Sequence, residues 1–276
     1  MSKQLITQSI GSYLNLISYL VPNYTARKTL DIFAKVRKGK LQSNVKIELL
    51  ERGKSEQISC AGHQIQTYHW PGKGKKILLL HGWESNTNRW RNLIPKLELE
   101  QYDIYAIDAP AHGYSSGTHH YLTNYAEATA TMIRKHQIET VIGHSMGGMA
   151  MLYALSHYQL ENLSHLISLG APTDFSLIVA GYQKTLGFNT HVLGLLDQLI
   201  QKEIGTGIED FSTAKFSYPP LGKFLIMHDR FDGTIPATQA QKLHKHIASE
   251  LYITEGFGHS MHQKEVCEKI IQFLKQ

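Results

Sequence analysis

Cysteine is scarce in this 276-residue sequence, which has only Cys60 and Cys267. The two cysteines lie far apart and outside any CxxC pair, so the sequence predicts neither a disulfide framework nor a zinc site. Apolar runs are short as well, and none reaches the roughly 18 residues that a membrane-spanning helix needs. The N-terminus also lacks the basic, apolar and small-residue regions of a secretory signal. Together these absences predict a cytoplasmic protein.

Blocks of like charge are also missing. The 28 lysine and arginine residues are mixed with 23 aspartate and glutamate residues, for a formal net charge of +5. An interspersed pattern is typical of an ordinary solvated surface, so we predict no nucleic-acid partner. Histidine pairs such as His119-His120 have no third ligand at metal-binding spacing, and neither a metal nor a cofactor is predicted.

The N-terminal segment 1–40 has the apolar spacing of two amphipathic helices. We expect the first to end at Pro22, and the second carries the apolar residues Leu30 and Phe33 among basic ones. Amphipathic helices usually face their own core, so this extension is expected to pack on the rest of the protein. The alternative is a helix pair that binds a membrane surface or a partner.

Short apolar runs alternate with helix-length segments in the remaining chain. Three early segments separated by turn residues are expected to be hairpin strands at a sheet edge: Val45 to Leu50, Gln57 to Cys60 and Gln64 to Trp70. The later runs are Ile77 to Leu80, Ile104 to Ile107, Thr140 to Ile142, Leu163 to Leu169, Phe224 to Met227 and Leu251 to Ile253. Apolar strands separated by helices are typical of a parallel sheet covered on both faces, so the predicted fold class is α/β.

Residues 173–222 interrupt this alternation. The stretch has no strand-like run and is too long for an ordinary connection, so we predict an insertion with two helices. The main α/β domain then comprises residues 41–172 and 223–276. We expect the insertion to form a helical cap over the strand ends and to limit the size of a bound molecule.

The most informative motif is Gly143-His144-Ser145-Met146-Gly147. It follows the strand-like run Thr140 to Ile142 and precedes a helix-like run that starts at Met149. A serine at such a strand–turn–helix junction has strained backbone angles and exposes its hydroxyl at the sheet edge, while the glycines let the strand and the helix approach each other. Ser145 is therefore the candidate nucleophile.

A serine hydroxyl needs a base, and the base needs an acid that holds it in one tautomer. His259 is the favoured base among 16 histidines because it follows the last strand-like run in a glycine-rich loop. The acid should follow the preceding strand, where Asp229 and Asp232 are both candidates. We favour Asp232.

From about Lys76 onward the chain resembles the α/β-hydrolase superfamily. The resemblance rests on the chain order Ser145, Asp232 and His259, and on an aspartate four residues before a proline, which falls on Asp232. The chain departs from the family at Asp229, where members often have glycine. The resemblance implies a mostly parallel central sheet flanked by helices, with the cap inserted before the strand that carries the acid.

Two further segments carry the resemblance. His81-Gly82-Trp83 stands where the family places the loop of the oxyanion hole, which implies that the backbone N–H groups of Trp83 and Met146 bind the developing negative charge. The segment from Asp108 to Ser115 resembles the family's DxPGHGxS turn, with Ala111 where glycine is usual. That turn is structural in the family, so no catalytic role is predicted for its residues.

The resemblance implies a serine hydrolase, carboxylesterase-like, that cleaves a small to medium carboxylic ester or thioester through an acyl-enzyme. Relatives that open epoxides or displace halide use aspartate where this chain has Ser145, which favours acyl-transfer chemistry. The sequence does not distinguish cleavage of esters, thioesters or amides from cleavage of a carbon–carbon bond beside a carbonyl. The apolar residues of the insertion indicate a substrate with an apolar group. Two rival functions stay open: a ligand-binding protein of the same fold, and a membrane-peripheral lipid hydrolase anchored by its N-terminal helices. The sequence makes no prediction of the oligomeric state.

Overall fold

The computed structural model describes residues 3–42 and 44–276. Met1 and Ser2 of the predicted extension, and Ser43 of the predicted main domain, lie outside the described residues. Among the described residues, none of the helices combines the length and the hydropathy that crossing a membrane requires.

Helices and strands alternate through most of the chain. The helices are α1 (Lys3–Ile17), α2 (Pro22–Ala34), α3 (Glu48–Arg52), α4 (Ile94–Leu99), α5 (Leu122–His136), α6 (Met146–His157), α7 (Phe175–Leu186), α8 (Thr190–Ile204), α9 (Thr238–His246) and α10 (Lys264–Leu274), with a 3₁₀ helix at Thr87–Asn92. The strands are β1 (Lys54–Cys60), β2 (His63–Trp70), β3 (Lys76–Leu80), β4 (Asp103–Ile107), β5 (Thr140–His144), β6 (His165–Leu169), β7 (Lys223–Asp229) and β8 (Glu250–Thr254).

Eight strands of the described chain form one sheet in the order β1-β2-β4-β3-β5-β6-β7-β8. β2 is antiparallel to both of its neighbours, β1 and β4. Strands β3 to β8 are all parallel to one another. The predicted α/β class with a mostly parallel sheet is confirmed. Because parallel strands end at the same edge, the loops after β5, β7 and β8 meet there.

The core lies on both faces of this sheet, as the unbroken apolar runs predict. Successive side chains of a strand point to opposite faces. Ile77 of β3 therefore packs in a cluster with Ile270 of α10, whereas Leu78 packs in another with Met132 of α5 and Met151 of α6. Helices on both sides thus hold the strand ends in fixed positions.

Two local predictions are wrong. Val45 to Leu50 is not a strand, because Glu48–Arg52 forms α3 and buries Leu50. The segment is rich in leucine and glutamate, which favour helix, and its first turn carries the acidic Glu48. Pro22 does not end α1, which stops at Ile17; it begins α2, where its fixed φ and missing N–H are tolerated.

The described residues divide into two compact units. The first contains the chain up to Lys35 together with Asp174–Lys215, and the second contains Val36–Thr173 together with Phe216–Gln276. The first unit is helical, and it joins the N-terminal helices α1 and α2 to the insertion helices α7 and α8. Leu14 packs there with Leu186 and Val192, while Leu30 and Phe33 of α2 pack against a cluster formed by Val179, Leu196, Ile200 and Ile208. The sheet belongs entirely to the second unit.

Candidate active site

Ser145 lies at the sharp turn between β5 and α6. Its backbone angles are φ 52° and ψ −121°, a strained conformation for a residue with a side chain. A Cβ on Gly147 would lie 2.4 Å from the Leu80 carbonyl oxygen, and one on Gly143 would lie 2.6 Å from the Gly148 Cα, so only glycine fits either position. The turn presents a partly exposed Ser145 at the carboxyl edge of the sheet.

The loops after β7 and β8 bring Asp232 and His259 to the same edge. The Ser145 hydroxyl donates to His259 Nε2 at 3.0 Å, and His259 Nδ1–H donates to Asp232 Oδ2 at 2.7 Å. The side chain of Asp232 is fully buried, and that of His259 is 22% exposed. The three residues singled out in the sequence thus form one continuous hydrogen-bonded chain.

Asp232 is held as a carboxylate. Burial alone would raise its pKa, but hydrogen bonds from the His228 and His259 side chains and from backbone N–H groups hold the pKa well below its usual value. The N–H groups of Thr234 and Ile235 donate to Oδ1 at 2.8 and 3.0 Å. Oδ2 lies 2.7 Å from His259 Nδ1 and 3.4 Å from His228 Nε2. An ionised acceptor at Nδ1 fixes the tautomer in which Nε2 is free to take a proton.

Asp229, the other candidate acid, contacts the loop that carries His259 and not its imidazole. Its Oδ2 accepts the Phe257 N–H at 2.8 Å and the Thr254 hydroxyl at 2.9 Å, and its Oδ1 accepts the Phe231 N–H at 3.0 Å. Burial alone would raise the pKa of Asp229, but these donors and the Gly258 N–H hold it below its usual value. The carboxylate therefore ties together the loops of the acid and the base.

Further side chains hold the same loop by its carbonyl groups. His144 Nε2–H donates to the His259 carbonyl oxygen, and Arg89 Nη2 donates to that of Ser260, each at 2.8 Å. Burial, followed by the nearby charge of Arg89, lowers the pKa of His144 well below its usual value, so the ring is neutral. The sequence did not predict these contacts, since His144 and Arg89 belong to no motif for that role.

The loop predicted to complete the oxyanion hole is also held by histidines. His81 Nε2 accepts the Ala109 N–H at 2.8 Å, so the proton sits on Nδ1, which donates to the Gly82 carbonyl oxygen at 2.7 Å. A trans peptide directs its C=O and N–H in opposite directions, so the Trp83 N–H points away from His81. A Cβ on Gly82 would lie 3.0 Å from the Ser145 Cβ, which places this loop beside the nucleophile.

His112 holds the other side of Trp83, because its Nε2 accepts the Glu84 N–H at 3.0 Å. Burial lowers the pKa of His112 to about 4 and that of His120, whose ring packs against it, to about 3.

Met146, the second predicted oxyanion residue, is the first residue of α6. N–H groups in a first helical turn have no carbonyl partner within the helix and are available to an anion.

The turn from Asp108 to Ser115 has structural contacts, as the sequence indicated. Asp108 accepts the Thr87 N–H at 2.8 Å, the Tyr114 N–H at 3.0 Å and the Tyr68 hydroxyl at 2.9 Å. In the part of the chain that the structure describes, no group of three His, Cys, Asp or Glu side chains is placed to hold a metal ion.

Comparison with known proteins identifies the same fold. Residues 75–190 match a family model described as the alpha/beta hydrolase fold. A pimeloyl-[acyl-carrier protein] methyl ester esterase of Vibrio vulnificus is 26% identical over 52% of this chain and 54% of its own length. The esterase of the same name from Edwardsiella ictaluri is 30% identical over 41% of this chain and 43% of its own. The matched region thus spans about half the length of these curated relatives.

A solved esterase structure from Exiguobacterium antarcticum superposes with a TM-score of 0.63 at 22% identity, covering 81% of this chain and all of that one. At this identity the superposition establishes the fold. The chain has the α/β-hydrolase fold, and its residues 75–190 match the family model of that fold.

Proposed function

We propose that this protein is a serine hydrolase that cleaves small to medium carboxylic esters or thioesters, with Ser145 as nucleophile, His259 as general base and Asp232 as the orienting acid. The observation that carries the proposal is the hydrogen-bonded chain from Ser145 through His259 to Asp232, with its serine on a strained and partly exposed turn. Perturbed groups that converge on a strained residue are typical of active sites.

In the acylation step the Ser145 oxygen attacks the substrate carbonyl carbon while its proton passes to His259 Nε2. The Trp83 and Met146 N–H groups are the proposed donors to the oxyanion, and two such fixed donors lower a barrier by several kcal/mol. The carbon–oxygen or carbon–sulfur bond then breaks, and the imidazolium returns its proton to the leaving alcohol or thiol. Asp232 stays ionised and stabilises the imidazolium.

Deacylation repeats these steps with water as the nucleophile. His259 takes a proton from water as the oxygen attacks the acyl carbon, and then returns it to Ser145 as the carboxylic acid leaves. The same three residues therefore serve both halves of the cycle, and the reaction consumes only substrate and water.

The ester class is supported by the names of the relatives, which include methyl ester esterases. We further propose that the insertion acts as a cap and that the substrate carries an apolar group, because α7 and α8 are rich in leucine, isoleucine and valine. Both proposals concern substrate specificity. A result that contradicts either of them would not contradict the chemistry proposed for the triad.

Turnover of nitrophenyl acetate, butyrate and octanoate tests the proposal, with a thioester of the best acyl chain for comparison. We expect hydrolysis by the wild-type protein, loss of it in Ser145→Ala and His259→Ala, and wild-type rates in the control Ser156→Ala. Absence of turnover of every ester by folded protein would contradict the proposal and favour a ligand-binding function.

A further inference from the structure

A short linker follows α2 and lies along the turn after β4. The linker consists of residues 36–41, and its first residue is also the first residue of the second compact unit. The Val36 N–H donates to the Thr118 carbonyl oxygen at 3.0 Å, and the Gly39 carbonyl oxygen accepts the Gly113 N–H at 2.9 Å. Backbone hydrogen bonds therefore fix the linker to the second unit, in which the sheet and the candidate triad also lie.

Gly39 brings the linker into contact with the residues that follow Trp83 in the oxyanion loop. Its φ is +87°, a left-handed value that favours glycine. A Cβ at this position would lie 2.7 Å from both the Glu84 carbonyl carbon and the Ser85 carbonyl oxygen, which is too close unless one of them moves. The Asn86 side-chain amide also donates to the Gly39 carbonyl oxygen, at 3.2 Å. The two backbones are thus packed directly against each other, and only glycine fits in the linker here.

Glu84 is held from two sides. Its φ of 49° is left-handed, which is uncommon for a residue with a side chain. The Arg37 N–H of the linker donates to Glu84 Oε1 at 3.1 Å, and the Glu84 N–H donates to His112 Nε2 at 3.0 Å. The side chain and the backbone of Glu84 are therefore both fixed by residues outside its loop. Strained residues that their surroundings hold in place are concentrated at active sites.

We infer that the linker positions the oxyanion loop, with Gly39 and Glu84 as positioning residues for the Trp83 N–H. Trp83 directly precedes Glu84, so a shift of the Glu84 backbone also moves the Trp83 peptide. Donors to an oxyanion must be held within about 0.5 Å of their productive position. Gly39 and Glu84 act on the reaction through Trp83 and not by contact with the substrate. Their effect on catalysis rests on the proposed function, whereas their effect on the order of the loop does not.

Gly39→Ala and Gly62→Ala form a matched pair for the test. Both glycines have left-handed φ values, +87° and +72°, so alanine is strained at either position. A Cβ on Gly62 has nothing within 4 Å, whereas one on Gly39 displaces the Glu84–Ser85 backbone. We expect Gly39→Ala to lower kcat for a nitrophenyl ester by about ten- to hundredfold and to change KM by less than about twofold. Gly62→Ala should keep the wild-type kcat.

Substitutions of Glu84 separate positioning from folding. Glu84→Gly adopts the left-handed φ without strain but loses the contact with Arg37, so the loop becomes freer while the fold is not weakened. We expect kcat to fall by about tenfold in Glu84→Gly, with Tm within roughly 2 °C of the wild-type value. Glu84→Gln keeps a side-chain oxygen that can accept the Arg37 N–H, so it should retain most of the wild-type kcat. A residue needed only for folding would lose Tm and kcat together.

Amide hydrogen exchange measured by mass spectrometry reports on the oxyanion loop without any substrate. Peptides that contain Trp83 should exchange faster in Gly39→Ala and Glu84→Gly than in the wild-type protein and in Gly62→Ala. Faster exchange in a protein that hydrolyses no ester would keep the linker as the support of the loop and reject the hydrolase. Unchanged exchange, or an active esterase in which Gly39→Ala and Glu84→Gly keep the wild-type kcat, would overturn the role of the linker.

Discussion

Asp229 and Asp232 are three residues apart, yet their carboxylates have different partners. Asp232 accepts from the imidazole of His259, and Asp229 accepts from the backbone of the loop that carries it. The sequence favoured Asp232 but could not exclude Asp229, because both follow the same strand. What separates them is the path of the loop after β8, which spacing in the chain does not encode.

Substitution of the two acids should separate their roles. Asp232→Asn is expected to lower kcat by about 10⁴-fold, because the amide favours the wrong tautomer of His259. Asp229→Asn should lower kcat by roughly ten- to hundredfold with little change in KM, since the loop loses its alignment but the triad keeps its acid. Steady-state kinetics on one ester measure both effects. A larger loss in Asp229→Asn than in Asp232→Asn would contradict the assignment.

At the residue scale, motif and chain order were enough to indicate the nucleophile, the base and the acid. The residues that hold them were not predictable in the same way. His144 and Arg89 act on carbonyl groups more than 110 positions away along the chain. The sequence marked Asp229 only because it replaces the glycine usual in the family. Its hydrogen-bond partners could be identified only in the structure.

At the scale of elements, the turn between β5 and α6 depends on close backbone approach. Gly147→Ala would place a methyl group 2.4 Å from the Leu80 carbonyl oxygen. We expect a loss of roughly 3 kcal/mol in the free energy of unfolding. The matched control is Gly181→Ala in the exposed middle of α7, where nothing lies within 4 Å and alanine should stabilise by about 1 kcal/mol. Urea unfolding measures both; equal effects would argue against the turn geometry.

The histidines around the oxyanion loop make stability depend on pH. Folded His112 and His120 have pKa values lowered to about 4 and about 3, whereas the unfolded side chains titrate near their ordinary value of about 6.5. Below pH 6.5 the unfolded chain therefore binds protons that the folded chain does not, and stability falls as the pH drops from about 6.5 to 4. His112 alone should lower the free energy of unfolding by about 3 kcal/mol over this pH range.

Urea midpoints measured between pH 7.5 and pH 4.5 should show this loss of stability. His120→Gln should reduce the slope of the urea midpoint against pH. His244→Gln, at an exposed histidine of α9, is the control and should leave the slope unchanged. The same slope in His120→Gln and in the wild-type protein would show that the buried ring does not contribute.

Sequence patterns predicted most secondary-structure elements correctly and one of them wrongly as a strand. Strands β3 to β8 were predicted within a few residues, because short continuous apolar runs separated by helix-length segments are typical of a parallel sheet covered on both faces. Val45 to Leu50 was predicted as a strand from its apolar residues, but leucine and glutamate favoured the short helix α3. Local preference prevailed there because the segment pairs with no neighbouring strand.

At the scale of the whole molecule, the division into two units joins segments that are distant in sequence. The helical periodicity of α1 and α2 indicated one buried face each, but periodicity does not name the surface that a face packs against. In the structure that surface is the insertion helices α7 and α8. The first unit therefore depends on residues from both parts of the chain.

Leu14→Ala should open the first unit by removing a fully buried side chain from between α1, α7 and α8, at a cost of about 2–4 kcal/mol. Leu16→Ala, at a side chain that is 72% exposed, is the matched control and should have little effect. Limited trypsin digestion reports on the opening through cleavage after Lys184 in α7 and Lys202 in α8. Equal cleavage rates in the two variants would argue against the packing of α1 on the insertion.

Ser145 is the serine that we propose is activated for nucleophilic attack. Incubation with a fluorophosphonate probe followed by peptide mapping by mass spectrometry tests this proposal most directly, because only a serine activated by a neighbouring base reacts readily. We predict one phosphonyl adduct, on Ser145, that disappears in Ser145→Ala and forms far more slowly in His259→Ala. A folded protein that gives no adduct, or gives one on another serine, would contradict it.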